Sequence, residues 1–247
     1  MPLLRTSLIL FFLGFLSLAR AQEFRTFNLT DGRTIDARII EITDGKIVLQ
    51  RADKLTFKLP VEAFSKNDLA VIREWQLADM QEKGTLIKLA GNSATADLQR
   101  QPEDGLVLFT WWHVYKVTVT NQSPYELADL EIAYTFTRTP AKLAQAKPKA
   151  ETETPQPLPQ SERKKFTLPA GEHFTLSNSS QLRRTELEPG WTWPDGGNAP
   201  LSDTLSPLTA TVTFKGEIIA TLTIEPTAPD FSKAKDKTST APTEAEQ

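Results

Sequence analysis

Two tryptophans in one Gly/Pro-rich stretch, Glu188-Pro189-Gly190-Trp191-Thr192-Trp193-Pro194-Asp195-Gly196-Gly197, are the side chains whose type and spacing best suit a ligand. An indole offers a flat apolar face and one donor, which fits the ring of a sugar or of a proline. Folding back over the edge of a core is the competing use of the same rings. Catalytic groups are sparse. His113 and His173 are the only imidazoles. His113 falls on the apolar parity of a strand-like run, where a buried structural histidine is expected, and His173 follows a turn and is expected in solvent. No HxxxH, CxxC, GxSxG, Walker-type or dinucleotide glycine pattern occurs. Asp129/Glu131 and Glu186/Glu188 have strand spacing, which is ordinary on a solvated face. A glycosidase needs two facing carboxylates at a set separation, a relation that spacing along one strand does not express. With no Cys there is no disulfide, thiolate metal site or thiol nucleophile. No cofactor, metal or catalytic residue is expected, and a hydrolase using His113 or His173 is the weakest reading.

The first 21 residues set the compartment. Arg5 precedes an apolar run from Leu8 to Leu18, and Ala19-Arg20-Ala21 supplies the small-x-small pattern of a signal peptidase site. The run is about 11 residues long, against roughly 20 for a bilayer-spanning helix. Polar Gln22, Glu23 and Arg25 follow at once. Cleavage after Ala21 is therefore expected, with no later segment long enough to span a membrane. It removes Arg5 and Arg20 and takes the formal net charge from −3 to −5. That mild acidity argues against nucleic acid as a partner. An exported chain without disulfides is expected in a bacterial periplasm or secreted from a bacterium. Sequons at Asn28, Asn121 and Asn178 would matter only in a eukaryotic secretory pathway.

Residues 22–82 read as short strands and tight turns closed by one helix. Phe24 and Phe27 lead to Asp31-Gly32, and Ile35, Ala37 and Ile39 alternate with Asp36, Arg38 and Ile40. Apolar residues on both faces near Ile42 suit a strand curling within a small barrel. Asp44-Gly45 turns into Ile47-Val48-Leu49, and Leu55, Phe57 and Leu59 alternate until Pro60. Ser65 and Asp68 form a capping box before Leu69, Ile72 and Trp75, and Gly84 stops the helix. Trp75 is expected as a core plug.

Asp31-Gly32-Arg33-Thr34-Ile35-Asp36-Ala37, Asp44-Gly45-Lys46-Ile47-Val48-Leu49, Arg51-Ala52-Asp53, Phe57-Lys58-Leu59-Pro60 and Phe64-Ser65-Lys66-Asn67-Asp68-Leu69 resemble, in that order, the first Sla homology domain. The resemblance covers roughly residues 22 to 77. Such domains occur in yeast endocytic adaptors, with similar copies in secreted planctomycete and verrucomicrobial proteins. It implies an SH3-like barrel and protein or peptide binding. The Asn-Pro-Phe-type ligand of the eukaryotic adaptors does not follow, because an exported chain never meets that machinery. Lys54 stands where the family usually has a turn glycine, which implies a different turn geometry.

From residue 83 to 228 the period stays at two. Val107, Phe109, Trp111, His113, Tyr115, Val117 and Val119 share one parity of an unusually long run, so a bulge or break is expected near Trp111-Trp112. Leu130, Ile132, Tyr134 and Phe136 follow, then Phe166, Leu168, Phe174 and Leu176, and finally a hairpin across Lys215-Gly216. Such strands argue for an immunoglobulin-like β-sandwich. Residues 138–165, with five prolines among charged and polar residues, read as a disordered insertion, or else as a linker between two smaller β units. The tail 229–247 also reads as disordered. The expected fold is thus mainly β: a small SH3-like barrel with a closing helix, then the sandwich. The expected function is an exported, non-enzymatic module that binds a protein or peptide, with carbohydrate or cell-wall binding through Trp191 and Trp193 as the alternative.

Overall fold

In the computed structural model, residues 24–141 and 156–237 are described. The expected leader, the centre of the expected insertion and the end of the tail lie outside them. The chain is mainly β and divides into two compact units, one ending at Gln76 and the other beginning at Leu77.

The first unit is a four-stranded antiparallel sheet in the order β1 (Arg25–Asn28), β2 (Thr34–Thr43), β3 (Lys46–Gln50), β4 (Thr56–Pro60). Asp44 and Gly45 both hold positive φ, as a two-residue primed turn requires. A bulge between Ile39 and Glu41 swaps the parity of β2. Ala37 and Ile39 before it and Ile42 after it therefore join one core with Phe27, Ile47, Leu49, Phe64 and Ile72. This is the physical origin of the apolar residues on both faces of that strand.

The sheet does not close into a barrel among the described residues. Pro60 has no N–H to extend the ladder, and Val61–Ala63 coil into a 3-10 turn. Only a single bridge, Leu29 to Phe64, and bonds such as Thr30 N to Ala63 O (2.9 Å) link its first and last segments.

Helix α1 (Lys66–Glu82) follows, and Gly84 takes positive φ just beyond its end. The capping box forms by half. Asp68 N donates to Ser65 Oγ at 3.3 Å, but the Asp68 carboxylate turns to β1, where it accepts from Asn28 N at 2.8 Å.

The second unit holds two five-stranded sheets. One runs β10 (Leu201–Ser202), β9 (His173–Leu187), β6 (Leu106–Asn121), β5 (Ile87–Glu103), β14 (Lys235–Asp236). In the other, β7 (Leu127–Thr139) lies between β8 (Leu158–Leu168) and β12 (Leu208–Phe214), which pairs with β13 (Glu217–Ile224). β11 (Thr204–Leu205) pairs with the end of β7. The two sheets share a core of Tyr115, Val117, Val119, Leu130, Ile132, Phe136, Ala210, Val212 and their neighbours.

Three expectations change. β6 is unbroken through Trp111 and Trp112, because strands pair with it on both sides. The irregularity lies in β5, between Ala96 and Gln99, with Asp97 at φ 51°. The insertion is also narrower than expected, since β7 runs to Thr139 and β8 starts at Leu158, where Tyr134 and Glu162 pair across the ladder. Finally, part of the tail is ordered. Phe231–Lys233 form a 3-10 turn, and Lys235–Asp236 add a parallel strand to β5.

Candidate functional site

The loop between β9 and β10 is built from two turns. Trp191 N donates to Glu188 O at 3.1 Å across Pro189-Gly190, with Gly190 at φ 91°, the left-handed position that type II turns reserve for glycine. Gly196 N donates to Trp193 O at 2.8 Å across Pro194-Asp195, and Trp193 N donates to Gly197 O at 2.8 Å. Asp195 Oδ1 accepts from Gly197 N. The base of the loop is tied to the β5–β6 turn by Glu188 N donating to Gly105 O at 3.0 Å.

The two indoles have different surroundings. Trp193 is half-buried and spends its only donor on Ala199 O at 2.8 Å. Trp191 is 57% exposed and belongs to neither core of its unit. It lies flat on Gly105, where an added Cβ would stand 2.7 Å from Cδ2 and Cε2 of the ring. Gly105 thus seats the ring, and its φ of 75° suits the same residue to the turn. Sequence reasoning singled out both tryptophans but missed Gly105. An Asp-Gly turn carries no sign of a partner so far along the chain. Trp112, on the outer parity of β6, is also exposed, at 40%.

The histidines do not assemble a reactive centre. His113 is 1% exposed and packs edge-on against Tyr115, with ring centroids 4.6 Å apart. Its Nε2 is buried without a hydrogen-bond partner. Burial lowers its pKa below the ordinary 6.5, and a backbone hydrogen bond to Thr227 only partly opposes this. Ser180 stands opposite on β9, but its hydroxyl donates to Gln160 Oε1 at 3.4 Å. His173 is exposed at the start of β9. Glu131 pairs with Arg163 at 3.2 Å and Glu186 with Arg184 at 2.5 Å, while Asp129 occupies a bulge at φ 59°. Among the described residues no group of three His, Asp or Glu side chains is arranged to hold a metal, and no helix is long and apolar enough to cross a membrane.

Two buried carboxylates serve as structural hubs. Asp203 accepts from Arg138 Nη2 (2.7 Å), Ala141 N (2.8 Å) and Arg183 N (3.2 Å). Asp68 accepts from Asn28 N (2.8 Å) and Ser65 Oγ (2.7 Å). Asn121 is buried, with its Nδ2 directed at three carbonyls (Tyr125, Leu168 and Pro169) and its Oδ1 at Ser123. That carboxamide is not open to glycosylation.

No family model matches the chain, and no curated protein matches it. Similarity to solved structures is weak. The beta-glucuronidase 2 of Bacteroides uniformis is 18% identical over 54% of this chain and 12% of that chain, with a TM-score of 0.28. The alkylpurine DNA glycosylase of Pseudomonas fluorescens is 13% identical over 67% of this chain and 40% of its own, at 0.23. A beta-glucosidase of Listeria innocua is 14% identical over 56% and 16%, at 0.20. This chain therefore spans only a small part of those enzymes, and likenesses of this size carry nothing for its fold or activity.

Proposed function

We propose that this is an exported, non-catalytic binding module whose ligand is a protein or peptide. One observation carries the reading: Trp191 is presented to solvent on a loop fixed by turn hydrogen bonds and seated on Gly105. A pre-positioned indole loses little entropy on stacking against a proline ring. In the first unit, the order of turns and the closing helix support the resemblance to an SH3-like Sla homology domain. So does Lys54, which holds φ 66°, the conformation a turn glycine would take there. The geometry expected to differ at that position is thus compatible with the family's glycine. In the second unit, two sheets around one core support the immunoglobulin-like reading.

The alternative ligand is a carbohydrate or cell-wall polymer, and the same open indole favours it. Tryptophan fluorescence decides between them. Titration with proline-rich peptides and, separately, with soluble cell-wall oligosaccharides is expected to perturb Trp191 emission for one class only. Trp191→Ala should abolish that response and weaken binding about tenfold or more, within the ~1–3 kcal/mol range of ring stacking. An unchanged affinity in Trp191→Ala would sink both readings. N-terminal sequencing of the exported protein should begin at Gln22.

A further inference from the structure

The long sheet of the second unit turns its buried parity to the core and its other parity to solvent. Trp112 stands on the solvent face of the central strand β6, 40% exposed. Its ladder partners are Ala96 on β5 and Gln181 on β9, with Ala94 and Ser179 two residues along. The alanines are too short to cover an indole, so the ring stays open on the β5 side.

The charges around it are mainly of one sign. Lys116 lies four residues along β6, and Arg183 lies two beyond Gln181 on β9. Lys235 of β14 pairs with Gln99, which pairs in turn with Thr110, and Lys88 pairs with Thr120 at the start of β5. Ladder partners share a face, so all four cations project on the side of Trp112. All four are exposed, and none has an ion-pair partner among the described residues. Arg163 of the other sheet, by contrast, is neutralised by Glu131. On these strands the carboxylates of the same side are Asp97, displaced at the β5 bulge, and Glu103 at the far end. The chain as a whole is acidic, at a formal net charge of −3. An uncompensated basic face on an acidic chain complements an anionic partner, and it repels the same face of a second copy.

The neutral side chains narrow the class of anion. Asn92, Ser177, Ser179 and Gln181 are exposed and make no side-chain hydrogen bond among the described residues. Such hydroxyls and amides suit the hydroxyls of a sugar, and an open indole suits the apolar face of its ring. From Trp112 to the row of Lys88 the face runs roughly 26 Å, at about 3.3 Å per residue. That length fits a polymer better than a single sugar. We propose that this face binds an acidic polysaccharide of uronic acid units. Trp112 stacks on one ring, while Lys116, Arg183 and Lys235 meet carboxylates. The proposal does not depend on any ligand at Trp191.

The test is calorimetric titration of the full-length chain with polygalacturonate, with dextran as a neutral glycan and oligothymidylate as a polyanion of another class. Polygalacturonate is expected to bind, less tightly as salt rises, and dextran is not. W112A should weaken binding about tenfold or more, whereas W112Y keeps an aromatic face and should retain most of it. K116E/R183E alters two exposed positions and should also weaken binding about tenfold or more, which keeps the proposal falsifiable if W112A disturbs the sheet. W191A should bind as the wild type does. Absence of polygalacturonate binding overturns the proposal, as does binding indifferent to both W112A and K116E/R183E. Loss in W191A alone would place the glycan on the loop instead. Oligothymidylate binding as tightly, with the same dependence on Trp112, would overturn the assignment to a sugar polymer.

Discussion

Asp68 shows how one residue can anchor a unit whose sheet does not close. Its carboxylate, 1% exposed, accepts from Ser65 Oγ (2.7 Å), Asn28 N (2.8 Å), Asn28 Nδ2 (3.3 Å) and Arg25 Nη2 (3.1 Å), joining the helix start to β1. Burial by itself would push its pKa up. The hydrogen bonds from Ser65 and Asn28 and the Arg25 charge outweigh it and hold the carboxyl below the ordinary 3.8. A depressed folded-state pKa contributes stability that is fully present above about pH 4 and is lost as pH falls through the folded value. Asp68→Asn should therefore cost about 1–3 kcal/mol at pH 7. Urea titrations at a series of pH values should show that deficit shrinking below about pH 4. A deficit independent of pH would mean that the carboxylate's charge is not what matters.

At the scale of elements, legibility followed the chemistry of each segment. Asp44-Gly45 and Lys215-Gly216 announced their turns, because positive φ at consecutive positions leaves few residue choices. β6 was readable because every second residue from Val107 to Val119 except His113 is a large apolar one, and that face of the strand meets two cores in succession. Its partner β5 was not. Ala90, Gly91, Asn92, Ser93, Ala94 and Ala96 have weak strand preference, and only pairing with β6 along their length holds them extended. The C-terminal segment was read as disordered because its composition is polar and Phe231 is its single large apolar residue after Pro229. That one ring suffices to dock it. Phe231 packs edge-on against Phe109 (5.1 Å) and Trp111 (5.5 Å), with the Arg184 guanidinium 4.4 Å over its face. The candidate site divides in the same way: the loop tryptophans were visible, whereas the seat on Gly105 is a tertiary contact without a local pattern. Phe231→Ala should cost about 1–3 kcal/mol, less than a fully buried Phe because the ring is only half-covered. It should also shift Trp111 emission to the red and speed amide exchange at Lys237, which donates to Arg100 O. Unchanged emission would show that the segment does not cover Trp111.

Taken as a whole molecule, the described residues form a hydrophobic core in the first unit that has no residue in common with those of the second. The core of the first unit is small: Phe27, Leu29, Ala37, Ile39, Ile47, Leu49, Phe64 and Ile72 are its buried members. The main core of the second unit draws on both sheets and is more than twice as populous. Small cores give marginal stability, and a domain of this kind has only a few kcal/mol to lose. Phe27 is fully buried and packs edge-on against Phe64 at 5.8 Å. Phe27→Ala should cost about 3–5 kcal/mol, enough to unfold a unit with so little in reserve. Because the cores share no side chain, that loss is expected to stay local. Hydrogen exchange of Phe27→Ala should then show protection gone from Ile47 to Leu49 while the amides of Val117 and Val119 remain protected. Simultaneous loss in both units would instead mean that the chain folds as one cooperative body and that the smaller core draws stability from the larger.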